Sequence, residues 1–176
     1  MFPPAHPGVA YLLYAGYTRL SGDDVPSGPA TVSLVVGSLV PDLFDQSLYH
    51  LAGAPTTRTV GHSLVVAVAL SGLVAAWVRW SEIDTRVATA FAVGYGSHLF
   101  ADAVWPLLLW QPAELRYLGW PLTWQPPYEG TFALASVGPV TLTTLWVELV
   151  LLGLAIVVWW HDGRPCRPET VQWRNR

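Results

Sequence analysis

Apolar and polar positions form long blocks along this chain rather than a short alternation. Five apolar segments are separated by polar stretches rich in Gly, Pro and Asp, a pattern typical of helices joined by turns. The last two segments each span about 30–36 Å as helices, enough to cross a bilayer, whereas the first two are short for that. The pattern predicts an all-α bundle of about five helices, two short and three long, at about 8–20, 30–40, 63–80, 87–110 and 140–160.

The connections between these segments set the expected boundaries. Pro41 directly precedes Asp42 and predicts that the second helix ends there. The loop 111–130 is rich in Pro and Trp, as is typical of the membrane headgroup zone. We expect residues 1–161 to form one membrane-embedded helical domain and 162–176 a polar cytoplasmic tail.

Composition narrows the class of protein. Hydrophobic residues make up 52% of the 176 and charged residues 12%, against roughly 25% charged in soluble domains. This favours an integral membrane protein whose main partner is the lipid bilayer. The net charge of −3 and the scattered arginines provide no basic patch, so no nucleic-acid partner is predicted. The single Cys166 excludes a disulfide framework.

The arginines indicate an orientation if all five segments cross in turn. Seven would lie on the face that carries the C-terminus and two on the other face. Because cytoplasmic loops are enriched in positive charge, we expect a multi-pass cell-membrane protein with a cytoplasmic C-terminus. The larger set is Arg19, Arg79, Arg86, Arg164, Arg167, Arg174 and Arg176, and the smaller set is Arg58 and Arg116.

The few remaining ionisable residues are the candidate site. His98 and Asp102 are four apart and share one side of a helix. On the expected topology five side chains converge on the extracytoplasmic leaflet: His6, Asp42, His62, His98 and Asp102. Imidazole and carboxylate both suit zinc, so one or two zinc ions are expected. Two metal ions held side by side are a standard arrangement for hydrolysing phosphoesters.

Small residues beside His98 predict a close helix–helix approach. Gly94, Gly96 and Ser97 precede it on the fourth segment, and small side chains let neighbouring helix backbones come together.

Several stretches also resemble a known family. They are 5–6, 37–42, Arg58 with 61–64, 94–102 (GYGSHLFAD) and 119–121. On these the chain resembles the LexA-binding, inner-membrane-associated, metal-dependent hydrolases. It is more distantly similar to zinc-dependent phospholipase C and P1-type nucleases. The resemblance implies that His6, Asp42, His62, His98 and Asp102 are metal ligands.

These observations support a metal-dependent hydrolase acting on a phosphoester or lipid-linked substrate, with Asp42, Arg58 and Asp102 as catalytic candidates. A different class stays open: a catalytically weak membrane scaffold or regulator with a structural metal site. It is favoured by Thr57 and Gln46, which replace histidines of the family pattern.

A third interpretation is an ion or proton relay through His98, Asp102 and Glu148. If there is no relay, we expect Glu148 to be either a distal metal ligand or a hydrogen-bonding residue within the bundle. Asp45 is a candidate for the family's second carboxylate.

Overall fold

The structure is a computed structural model that describes residues 4–22, 25–123 and 139–166, without the side chains of 139–144. In these ranges it is all-α and has no strand, which confirms the predicted class. The helices are α1 (Ala5–Leu20), α2 (Gly28–Ala52), α3 (Leu64–Trp80), α4 (Arg86–Leu108), a 3₁₀ helix (Pro112–Gly119) and α5 (Pro139–His161). Residues 124–130 of the expected loop and 167–176 of the expected tail lie outside the described residues.

No helix in these ranges has both the length and the apolar content that a bilayer crossing requires.

The second helix does not end at Pro41, so that prediction is wrong. With its 25 residues α2 is also not short, and Asp42 and Asp45 lie inside it. An internal proline removes one backbone hydrogen bond, and packing against the rest of the fold holds the two halves together. Gly61 lies so close that a Cβ there would be 2.6 Å from the Pro41 carbonyl oxygen. The helix ends instead at Gly53, whose φ of 68° is the left-handed conformation that glycine adopts readily.

The backbones of α2 and α4 touch where they cross. A Cβ at Gly37 would lie 2.4 Å from the Phe91 carbonyl oxygen, and one at Gly94 would lie 2.2 Å from the Leu34 carbonyl oxygen. The close approach predicted for Gly94 is therefore confirmed. Gly96 faces away, since a Cβ there would meet nothing within 4 Å. This crossing brings the α4 residues that follow Gly94 directly against the middle of α2.

The first helix packs against α2, α4 and α5. Its inward face consists of small and aromatic residues, and it shares a core with an alanine and a leucine of α2 and one alanine of α4. At its far end, the Asp162 carboxylate accepts hydrogen bonds from Tyr11 and Arg19. This anchoring places the start of α1 beside the middle of α4. The core consists of Ala10, Tyr11, Tyr14, Ala15, Ala30, Leu34 and Ala90.

Candidate metal centre

Four elements bring the five candidate ligands to one place. His6 lies in the first turn of α1, Asp42 in the middle of α2 and His62 two residues before α3, while His98 and Asp102 lie one turn apart on α4. Four of them are at most 5% exposed, and Asp42 is the exception, with 22% of its side chain exposed. Buried ionisable side chains are costly unless they are paired or bind a cation.

The first ligand set is Asp42, His62 and His98, which form a compact triangle of donor atoms. The two Nε2 atoms of His62 and His98 are 3.1 Å apart. The Asp42 Oδ1 lies 3.5 Å from the His62 Nε2 and 3.7 Å from the His98 Nε2. Zinc with bonds of about 2.0–2.1 Å separates neighbouring ligands in a tetrahedron by about 3.3 Å. The triangle therefore has nearly the dimensions of one face of a zinc tetrahedron.

The second ligand set is His6, His98 and Asp102, whose donor atoms lie within 4.8 Å of one another. The two carboxylate oxygens of Asp102 face different histidines. Oδ1 lies 3.6 Å from the His6 Nε2, and Oδ2 lies 3.5 Å from the His62 Nε2. Asp102 thus has one carboxylate oxygen near a histidine of each set, and the oxygen that faces His62 also pairs with Arg58.

His98 is shared by both sets but can serve only one ion at a time. Its Nδ1 lies 2.7 Å from the Ser38 carbonyl oxygen. A carbonyl only accepts hydrogen bonds, so Nδ1 carries the proton. The Nε2 atom is then unprotonated and can offer its lone pair to a cation. One Nε2 lone pair binds one cation. A second ion held at the same time would depend on His6 and Asp102 without His98.

Asp45 lies behind His62 rather than among the ligands. It is fully buried and accepts five hydrogen bonds. Oδ2 accepts from the His62 Nδ1 at 2.8 Å, and also from the backbone N–H groups of Thr59 and His62. Oδ1 accepts from the Thr59 hydroxyl and the Gly61 N–H. A carboxylate that holds the far nitrogen of a metal-binding histidine fixes its tautomer and raises its basicity.

The pKa of His62 reflects this concentration of negative charge. Burial alone lowers the pKa of an imidazole. Hydrogen bonds to Asp102, Asp42 and Asp45 outweigh that effect and raise the pKa of His62 to about 10. The pocket therefore holds a proton on His62 at neutral pH unless another cation takes its place.

Arg58 provides a positive charge at the edge of the site. One of its nitrogens lies 3.0 Å from the Asp102 Oδ2, and its guanidinium lies 5.4 Å from the centre of the Tyr117 ring. Its side chain is 26% exposed, similar to Asp42, whereas the other site residues are buried. Arg58 and Asp42 are therefore the site residues that solvent reaches most.

Sequence reasoning missed two tyrosines that surround the centre. The Tyr95 hydroxyl donates to the Gly61 carbonyl oxygen at 2.6 Å and so supports the segment that carries His62. The Tyr117 ring meets the His62 ring edge-on at 5.8 Å. Tyr95 lies within the stretch already singled out, three residues before His98, but nothing in the sequence pointed to Tyr117. Glu148 is buried on α5 and belongs to neither ligand set.

The donor atoms suit a divalent transition metal. Both sets consist of imidazole nitrogens and carboxylate oxygens, a combination that zinc and related ions accept. With neutral histidines, Asp42, Asp45, Asp102 and Arg58 leave a net charge of about −2, which one divalent cation neutralises.

Comparison with known proteins places the chain in a family. Neither the curated proteins nor the solved structures contain a significant match. A family model described as YdjM inner membrane protein matches residues 1–165, which include all five candidate ligands and Arg58. The chain therefore belongs to the YdjM inner membrane protein family.

Proposed function

We propose that the protein is a membrane-embedded, metal-dependent hydrolase that cleaves a phosphoester or lipid-linked substrate at the outer leaflet. The observation that carries this proposal is the triangle of Asp42, His62 and His98, whose edges of 3.1–3.7 Å are close to the spacing of three ligands around one zinc ion. A structural zinc site is normally closed by four protein ligands, whereas a catalytic one keeps a position for water or substrate.

The first set would hold one zinc ion, and His6 with Asp102 would hold a second. When bound, such an ion supplies Lewis-acid polarisation of a phosphoryl oxygen and lowers the pKa of an attacking water. Asp45 keeps the His62 Nε2 directed into the site, and the Ser38 carbonyl does the same for His98. These contacts position the ligands before a substrate arrives.

The two partly exposed side chains would act on the substrate. Asp42 would accept a proton from the attacking water. Arg58 would bind a phosphoryl oxygen, because its planar fork matches phosphate geometry. Its contact with Asp102 keeps the guanidinium within reach of the centre.

Placement in the membrane is supported by the family's description and by the composition. We propose a multi-pass arrangement with a cytoplasmic C-terminus, on the strength of the uneven distribution of arginines. A C-terminal reporter that is active only in the cytoplasm tests the orientation. A second C-terminal fusion carries a reporter that is active only outside the cytoplasm, and activity of that second reporter alone would contradict the orientation.

The experiment for the hydrolase compares four detergent-purified proteins, each stripped of metal and reloaded with zinc. They are the wild type, His98→Ala, Arg58→Lys and His50→Ala. His50 is an exposed α2 histidine outside both ligand sets and is the matched control. The readout is bound zinc and release of 4-nitrophenolate from phosphate mono- and diesters.

We expect His98→Ala to lose both zinc and turnover. Arg58→Lys should keep zinc but turn over at least tenfold more slowly, because lysine cannot form the bidentate contact. His50→Ala should behave as the wild type. A zinc-loaded wild type that cleaves none of the esters would contradict the hydrolase proposal and favour a structural metal in a scaffold. That alternative is motivated by Thr57 and Gln46, which stand where the family pattern has histidines.

A further inference from the structure

An apolar groove lies between α3 and α4, and some of its lining residues neighbour residues that contact the metal centre. Its volume is about 540 Å³, within the range of ordinary small-ligand pockets. It extends for about 10 Å along α3 and about 16 Å along α4. We call it the α3–α4 groove and define it by Ala67, Val68 and Ser71 of α3 with Ala92, Gly96 and Leu99 of α4.

Three contacts join this groove to the site. Tyr95 lines the groove, and its hydroxyl bonds to the Gly61 carbonyl, next to His62. Leu64 lines it two residues after His62. Leu118 closes the end of the groove and directly follows Tyr117, whose ring contacts His62. A ligand that ends at Leu118 therefore lies next to Tyr117, whose ring centre is 5.4 Å from the Arg58 guanidinium.

The groove and the centre differ sharply in polarity. The groove walls are almost entirely carbon, with Ser71 as the one hydroxyl in its defining set. The centre has the Arg58 guanidinium and the cation-binding carboxylates and imidazoles. A molecule that matches both surfaces has an apolar chain and an anionic head.

We propose that the α3–α4 groove binds the apolar chain of an amphiphilic phosphoester while the phosphoryl group lies at the metal centre. This inference rests on the proposed function and narrows its substrate class to lipids that carry one anionic head group. Binding follows from burial of the chain against carbon. Each buried methylene group raises the binding affinity of the ligand about fourfold. The head group is selected by charge, so a neutral lipid of equal chain length does not bind as tightly.

Gly96→Leu tests the groove with little disturbance elsewhere. Gly96 lines the groove, and a Cβ there meets nothing within 4 Å. The leucine side chain would occupy the space of about two methylenes of the ligand. Gly72→Leu is the matched control, since Gly72 is exposed on α3, has nothing within 4 Å of a Cβ and lies outside the groove. Ala92→Leu is a second groove variant should Gly96→Leu fold poorly.

The probe is a long-chain alkylphosphonate that carries a photoactivatable diazirine in its chain, applied to the zinc-loaded proteins in lipid nanodiscs. Peptide mass spectrometry locates the labelled residues. We expect labels within Leu64–Trp80 and Arg86–Leu108, about 15-fold less labelling in Gly96→Leu, and wild-type labelling in Gly72→Leu. Excess methylphosphonate should reduce the labelling by competing for the head-group site.

Three results would overturn the inference. One is equal labelling by a neutral alcohol with the same diazirine chain, which would mark the groove as ordinary lipid-facing surface. Another is unchanged labelling in both groove variants. The third is a dimer that Gly96→Leu converts to a monomer, because a second copy of the chain would then cover the groove.

The same samples separate this inference from the proposed hydrolysis. Groove-specific labelling without turnover of a long-chain 4-nitrophenyl phosphodiester would contradict hydrolysis alone. Turnover that Gly96→Leu lowers equally for long-chain and methyl esters, or not at all, would contradict the groove alone.

Discussion

Replacing Asp45 with asparagine is expected to weaken both the fold and metal binding, although Asp45 contacts no metal. The substitution keeps the size of the side chain but exchanges one oxygen for an NH₂ group. Each oxygen of Asp45 accepts from at least one backbone N–H. Whichever way the amide is oriented, its NH₂ group therefore faces a backbone donor.

The least costly orientation places the NH₂ group at the Oδ1 position. The Thr59 hydroxyl can turn and accept there, but the Gly61 N–H loses its partner. A buried donor without a partner costs about 1–3 kcal/mol. For a chain of this size that corresponds to a fall of roughly 3–9 °C in Tm. The remaining oxygen still orients His62 but no longer carries a full charge, so zinc affinity should fall about 10- to 100-fold.

The assay measures Tm of the zinc-free protein and zinc affinity by competition with a chelator. Asp42→Asn is the matched control, because Asp42 is partly exposed and no backbone donor to its carboxylate is observed in the described residues. It should lose zinc affinity while the zinc-free Tm stays within about 2 °C. If Asp45→Asn binds zinc within twofold of the wild type and melts at the same temperature, the positioning role of Asp45 is wrong.

Three further predictions concern packing, stoichiometry and pH. Gly94→Ala should destabilise the protein by at least about 3 kcal/mol in chemical denaturation, because its Cβ would overlap the α2 backbone, whereas Gly96→Ala should be neutral or slightly stabilising. His98→Ala should abolish zinc binding to the first set, while His6→Ala should remove at most one of two ions, as measured by elemental analysis of the purified proteins. The pKa of His62 is raised from 6.5 to about 10 in the folded protein, so its contribution to the stability of the zinc-free protein is complete below about pH 6.5 and lost as the pH rises towards 10. Denaturation of chelator-treated protein at pH 6, 8 and 10 tests this, and stability that rises across that range would contradict the assigned pKa.

The helices could largely be located from the sequence because each apolar block is bounded by turn residues. The clear error was α2. Pro41 and the polar residues after it suggested an end, yet tertiary packing continues the helix to Ala52. The 3₁₀ helix Pro112–Gly119 lies within the stretch 111–130, whose prolines predict a loop. The local sequence pattern predicts helices that are stabilised by their own apolar face. It fails where contacts with other elements determine whether a helix forms or where it ends.

The residues of the candidate site could be named because ionisable side chains are scarce in this chain. The contacts that each of these side chains makes could not be predicted. Nothing in the spacing shows that Asp45 faces the His62 Nδ1, or that the Ser38 carbonyl fixes the tautomer of His98. Both contacts join residues on different elements. They depend on the glycine contact between α2 and α4 and on the path of the segment before α3.

The candidate centre draws its side chains from α1, α2, the segment before α3, and α4. His6 and Asp102 are separated by more than ninety residues. Neither ligand set is complete until α4 has been synthesised and has docked against α2, because both sets include His98. A stably bound ion would then mark the end of assembly, and fragments that end before α4 would hold metal weakly. Metal occupancy would therefore report that α4 has docked against α2.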